Sequence, residues 1–264
     1  MIDLPRPLLG RLALTLLVVA TGLTLIFTIG VRREDGGGQD VAAAPRTPAD
    51  TPQPEPRAKA PRAAVAAPVD RPNASDQAEL EAWADEVSES TGVPPRVLAA
   101  YGRAEMWLRG EQPGCRLSWG TLAGIGRVES RHGTIGGGEI KDNGMPTSPI
   151  VGIPLDGSPG VKEIRDTDDG KLDADRKWDR AVGPMQFLPA TWERWGKRAV
   201  RDGGEPDPQN IDDAALAAAR YLCWNGRDLS TPEGWWDAVL TYNVSVGYGR
   251  EVFAAAESYA EATA

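Results

Sequence analysis

Histidine and cysteine are nearly missing from this chain of 264 residues, which has one His, His132, and two Cys, Cys115 and Cys223. No clustered Cys/His ligand set can be assembled from so few, so nothing suggests a zinc site. An excess of positive charge is missing as well. Lys and Arg total 29 against 38 Asp and Glu, a formal net charge of −9. The imbalance is concentrated beyond residue 72, where 20 basic residues face 31 acidic ones. Such a surface repels phosphate backbones, which argues against nucleic-acid binding. Tryptophan is absent from the first 72 residues, and all nine lie after them. The core is therefore built in the last three-quarters of the chain. No fixed-period repeat is present.

What the first quarter does contain is one long apolar run, Leu12 to Val31, without a charge. Its length matches the roughly 20 residues that span a bilayer core. A secretory signal has a shorter apolar region and a nearby small-residue cleavage site. The only such site here, Val41-Ala42-Ala43-Ala44, lies well beyond the run. An uncleaved, single-pass signal anchor over residues 1–31 is the leading expectation, and a cleaved, secreted form is the other. Arg6 and Arg11 before the run balance Arg32 and Arg33 after it, so charge alone does not orient it. Residues 32–74 are rich in Pro and Ala and poor in bulky apolar side chains. They cannot offset the entropy of ordering and are expected to form a disordered, extended linker.

From Ser75 the pattern becomes helical. Ser75 or Asp76 can cap a helix to about Ser90, and Thr91-Gly92-Val93-Pro94-Pro95 ends it and starts another. Further helical periodicity covers Ser118–Arg131, Ala190–Val200, Ile211–Trp224, Glu233–Tyr242 and Ser245–Ala260. Between Gly133 and Arg180 the sequence is irregular and turn-rich. The expectation is one all-α domain, residues 75–264, carrying a long loop insertion with at most a short β-hairpin. Cys115 and Cys223 would be free buried thiols in a cytosolic chain. Behind an export segment a disulfide is the better reading, and it leans the domain towards the extracytoplasmic side.

The helix Ser118–Arg131 holds a carboxylate in its apolar stripe. At roughly 100° per residue from Trp119, Glu129 falls at about 280°, between Leu122 at about 300° and Ile125 at about 240°. Arg127 and Arg131 fall on the opposite side. Burial raises a carboxyl pKa and keeps a proton available near neutral pH, as a general acid requires. A helix-end glutamate that bends towards solvent or pairs with an Arg is the other reading of the same pattern.

Residues 121–133, Thr-Leu-Ala-Gly-Ile-Gly-Arg-Val-Glu-Ser-Arg-His-Gly, resemble the catalytic helix of lytic murein transglycosylases of the membrane-bound B type. Gly183-Pro184-Met185-Gln186-Phe187-Leu188-Pro189 is similar to that family's Gly-x-x-Gln-Phe-x-Pro segment. Asp207-Pro208 to Asp213-Ala214, and Thr241-Tyr242-Asn243-Val244-Ser245 with Tyr248, resemble two later stretches in order and spacing. The match runs over about residues 93–260.

The resemblance implies a lysozyme-like transglycosylase domain that cleaves the β-1,4 bond between N-acetylmuramic acid and N-acetylglucosamine in peptidoglycan. Glu129 would match the single acid/base, closing a 1,6-anhydro ring without water. One carboxylate suffices because the nucleophile is internal to the sugar. Ser130, Met185, Gln186, Tyr242, Asn243 and Tyr248 would match substrate-binding positions. The implied partners are glycan strands, the membrane through the N-terminal segment, and cell-wall synthesis or division proteins. No cofactor and no metal are expected. The family's calcium loop is too short here at 201–207, and Asp166-Thr167-Asp168-Asp169-Gly170-Lys171-Leu172-Asp173 resembles a cation loop with one residue missing. A hydrolase with Asp166, Asp168, Asp173 or Asp179 as second carboxylate, and a wall-binding protein without turnover, stand as alternatives.

Overall fold

The computed structural model describes residues 55–68, 75–200 and 202–264. The apolar run 12–31 and most of the linker lie outside the described residues. Among the described residues no helix is long and apolar enough to cross a membrane.

Seven α-helices carry the described fold: α1 Ser75–Thr91, α2 Pro95–Glu111, α3 Trp119–Ser130, α4 Pro189–Trp195, α5 Ile211–Leu222, α6 Pro232–Tyr242 and α7 Val246–Ala262. No strand occurs among the described residues. The expected hairpin is reduced to isolated bridges such as Asp156 with Glu163 and Arg165 with Trp178. The all-α expectation holds.

Local chemistry sets the helix ends. Pro95 opens α2 at a position where a missing N–H costs nothing. Ser118, Asn210, Thr231 and Ser245 each accept a first-turn backbone N–H and so start α3, α5, α6 and α7. The side-chain cap expected from Ser75 or Asp76 lies outside what is described. Two helices stop short of their periodicity. α4 ends at Trp195 rather than Val200, because the fully buried Asp213 carboxylate pulls the following chain back. It accepts from Ala199 N at 2.8 Å, Asp207 N at 3.0 Å and Arg198 Nη1 at 3.0 Å. α5 ends at Leu222 because Cys223 turns out of the helix to bond Cys115, with the Cα atoms 5.4 Å apart.

α2 lies at the centre, packed against α1, α3 and α5, while α3 packs against α7. Leu98, Tyr101, Trp119, Leu122, Ile125, Trp235 and Trp236 are fully buried in the shared core. Each buried aliphatic side chain contributes roughly 1.5–3 kcal/mol. The α3–α7 contact is close because Gly124 lacks a side chain: a Cβ there would lie 2.8 Å from the Val252 carbonyl oxygen.

Residues 55–68 depart from the expected disordered linker. They are extended but fastened across the domain. Trp119 Nε1 donates to Val65 O at 2.8 Å, Trp236 Nε1 to Lys59 O at 3.0 Å, and Arg109 to Ala67 O at 3.1 Å. Arg62 pairs with Glu257 at 2.8 Å and Glu261 at 2.7 Å. Ala64 and Ala67 are buried. The segment has little to bury by itself. The domain supplies the donors and carboxylates, and alanine side chains allow close approach.

Candidate active site

α3 ends in an unusual turn. Arg131, His132 and Gly133 all have positive φ, at 53°, 62° and 81°. His132 N donates to Gly126 O at 2.9 Å and closes the helix end. Glu129 thus stands in the last turn of α3. It is partly exposed and lines two cavities, of about 370 and 450 Å³, which share Glu129 and Ile135.

Tyr248, on the first turn of α7, donates its hydroxyl to Glu129 Oε1 at 2.7 Å. Burial pushes the Glu129 carboxyl from its ordinary 4.5 up to about 7, and the Tyr248 bond offsets part of that rise. Glu129 is therefore partly protonated at neutral pH, in contact with an open cleft. Burial raises the hydroxyl pKa of Tyr248 and Tyr242 well above the ordinary tyrosine value, and the nearby Glu129 adds to both shifts.

The turn 182–187 forms the second wall. Val182 and Phe187 exchange backbone bonds of 2.9 and 3.0 Å, and Gly183 and Gln186 take positive φ of 78° and 49°. Only glycine fits at 183, where a Cβ would sit 1.7 Å from the Pro208 carbonyl oxygen. The result is alternation: Met185 and Phe187 point into the core while Gln186 faces the larger cavity, its Nε2 bonded to Gly183 O at 2.9 Å. Tyr242 braces the same turn from behind, donating to Met185 O at 2.7 Å.

Of the residues expected at the site, the structure brings Glu129, Gln186, Tyr242 and Tyr248 together. One expectation, Met185 as a groove residue, is corrected. Ser130 is buried and spends its hydroxyl internally, donating to Pro184 O at 2.6 Å and accepting from Gly133 N at 2.7 Å. It pins the turn to the helix end and lines the smaller Glu129 cavity. Met185 is fully buried and forms core, not groove. Asn243 is exposed at the α6–α7 junction, where its Oδ1 accepts from Ser245 N at 3.1 Å, and it does not line the Glu129 cavities. His132 is buried between Tyr101 and Tyr259, at 3.3 and 2.9 Å, and burial lowers its pKa to about 3. It is a neutral structural group.

Three features escaped the sequence reading. The Gly136–Gly138 turn and residues 146–152 wall the larger cavity, although their sequence signals only turns. Glu251 lines the smaller cavity one helical turn beyond Tyr248, a spacing that places both on one face of α7. Glu105 is a second buried carboxylate with a pKa raised by burial. It differs from Glu129 in being paired with Arg109 at 2.7 Å and covered by the 55–68 segment.

Among the described residues one group of carboxylates lies close enough to share a cation. Asp166, Asp168 and Asp179 have oxygens within 4.8 Å of one another. Most of these oxygens already hold the loop together: Asp166 accepts from Asp168 N and Gly170 N, and Asp179 from Thr167. Asp168 Oδ1 is buried without a partner. None of the three lines the cavities around Glu129. No family, no curated protein and no solved structure matches this chain.

Proposed function

We propose that the protein is a peptidoglycan lytic transglycosylase with Glu129 as its single acid/base. The observation that carries this reading is a carboxyl with a pKa near 7, bonded to Tyr248 and open to a cleft on both sides. The protonated Glu129 donates its proton to the glycosidic oxygen as the bond from C1 of the muramoyl sugar breaks. The carboxylate then takes the proton of the same sugar's 6-hydroxyl as that oxygen bonds C1. Tyr248 stabilises the intermediate carboxylate with its hydroxyl bond. Gln186 offers amide hydrogen-bonding groups to the glycan from the opposite wall. The domain works outside the cell on the wall, held by a 12–31 anchor, and the Cys115–Cys223 bond suits that oxidising side.

Product analysis by mass spectrometry tests this. Digested wall should yield muramoyl ends lighter by one water than hydrolysed ends, and Glu129→Gln should yield none. Hydrolysed ends from the wild type would overturn it in favour of a muramidase. For that second reading the observations favour Glu251 over the four aspartates expected from the sequence, because it alone of these shares a cavity with Glu129. A hydrolase would then lose activity on Glu251→Gln, whereas the transglycosylase would keep it.

A further inference from the structure

The end of α3 carries two arginines that the proposed chemistry does not use. Arg127 and Arg131 line the smaller Glu129 cavity and also a further cavity of about 540 Å³, bounded by the α1–α2 junction, Thr134 and Tyr259. Arg127 and Arg131 thus share one cavity with Glu129 and line a second beside it. Arg131 is exposed and makes no side-chain bond among the described residues. Arg127 lies beside the Tyr259 hydroxyl: burial raises the Tyr259 pKa and Arg127 offsets part of that rise, while at His132 burial lowers the pKa and Arg127 adds to the fall. His132, the remaining titratable base in this cavity, is held neutral.

In a domain with a large acidic excess, cations near a cleft would ordinarily be paired off. Here the basic pair sits one helical turn apart and opens into a cavity whose other walls are apolar or neutral: Thr91, Val93, Pro94 and Tyr259. The acidic groups that line a cavity with these arginines, Glu129 and Glu251, belong to the smaller cavity and not to this one. Arg127 and Arg131 also oppose the negative end of the α3 dipole. That helix-end role needs no cavity and no unpaired guanidinium facing one.

We infer that this basic arm binds a carboxylate-bearing group of the ligand, specifically the acidic peptide attached to the muramoyl sugar. The inference rests on the wall-glycan reading for the identity of the ligand. The guanidinium of Arg131 would form charge-assisted hydrogen bonds to a peptide carboxylate while the sugar reaches Glu129 through the shared cavity. No covalent step is involved.

Direct binding tests this apart from catalysis. A soluble muramoyl peptide with two free carboxylates, and its diamide, are titrated into the full chain by calorimetry. The acidic form should bind, and the diamide should bind at least tenfold more weakly, as loss of one charge-assisted bond implies. Arg131→Gln should weaken the acidic form by a similar factor, leave the diamide unchanged, and flatten the salt dependence. Equal binding of the two ligands, no effect of Arg131→Gln, or no binding of either overturns the inference. The anhydro-product assay stands or falls separately, since it can be run on glycan strands stripped of peptide.

Discussion

The Tyr248 hydroxyl lies 2.7 Å from Glu129 Oε1 and opposes the effect of burial on that carboxyl. Burial favours the protonated acid, and the tyrosine favours the carboxylate. With the pKa near 7, Glu129 is protonated below that pH and loses its proton above it. Wall-clearing activity should therefore fall through a basic limb near pH 7. Tyr248→Phe removes the group that stabilises the charged form, so its basic limb should move to higher pH. Clearing rates across pH for the two proteins check the direction, and an unmoved limb would separate Tyr248 from the acid.

The same shift affects stability. The folded pKa of Glu129 exceeds its ordinary 4.5, so the folded state binds more protons. Its contribution is fully present below pH 4.5, declines between 4.5 and about 7, and stays constant above that. Glu129→Gln removes this decline. The variant and wild type should have similar stability at pH 4.5, and the variant should gain roughly 1–3 kcal/mol at pH 8. Urea unfolding at both pH values measures it, and parallel pH dependence would contradict the raised pKa.

Ser130 joins the helix end to the 182–187 turn through two short bonds. Ser130→Ala strands the buried Pro184 carbonyl and Gly133 N–H. The cost should be about 1–3 kcal/mol in stability. Because Gln186 rides on the same turn, activity should fall even where the variant is fully folded. Melting curves with assays below the transition separate the two effects.

The segment 55–68 should stabilise the domain in spite of its composition. A chain beginning at residue 55 should melt with the full-length protein. One beginning at residue 69 loses the Trp119, Trp236, Arg109 and Glu257 bonds and exposes the surface under Ala64 and Ala67. For a domain of this size each kcal/mol lost lowers Tm by about 2–4 °C. Equal Tm values for the two truncations would show the segment to be an idle spacer.

The Cys115–Cys223 bond closes a loop with a sequence separation of 108. In the chain-entropy description such a loop contributes up to about 4–5 kcal/mol. Reduction should lower Tm by roughly 10 °C at these slopes. Alkylation under denaturing, non-reducing conditions should add no label, and two labels would disprove the bond.

Much of the helical framework was legible because periodicity reports burial directly. Leu122, Ile125 and Glu129 share one stripe of α3, and the stripe is where the core and cleft meet. The interruptions were not legible, since they depend on distant partners. α4 stops where Asp213, on another helix, recruits Ala199 and Arg198. Adjacency also misled: Met185 neighbours Gln186 in sequence, but a tight turn sends alternate side chains to opposite sides. The 55–68 segment was misread because its own composition says nothing of the indole and carboxylate groups waiting on the domain.

Those fastenings have a mechanical meaning. Ala64 meets α3 at Ser118 and Gly120, and Glu129 stands near the other end of the same 12-residue helix. The ties nearest the N-terminal end of the segment are Glu55 to Arg250 on α7, and Arg57 to Asp237 and Lys59 to Trp236 on α6. The fastening also shortens the leash, because only residues 32–54 lie between the apolar run and the first tied residue. On the anchored reading proposed above, they reach about 80 Å fully stretched, a cap on how far into a wall the cleft would work.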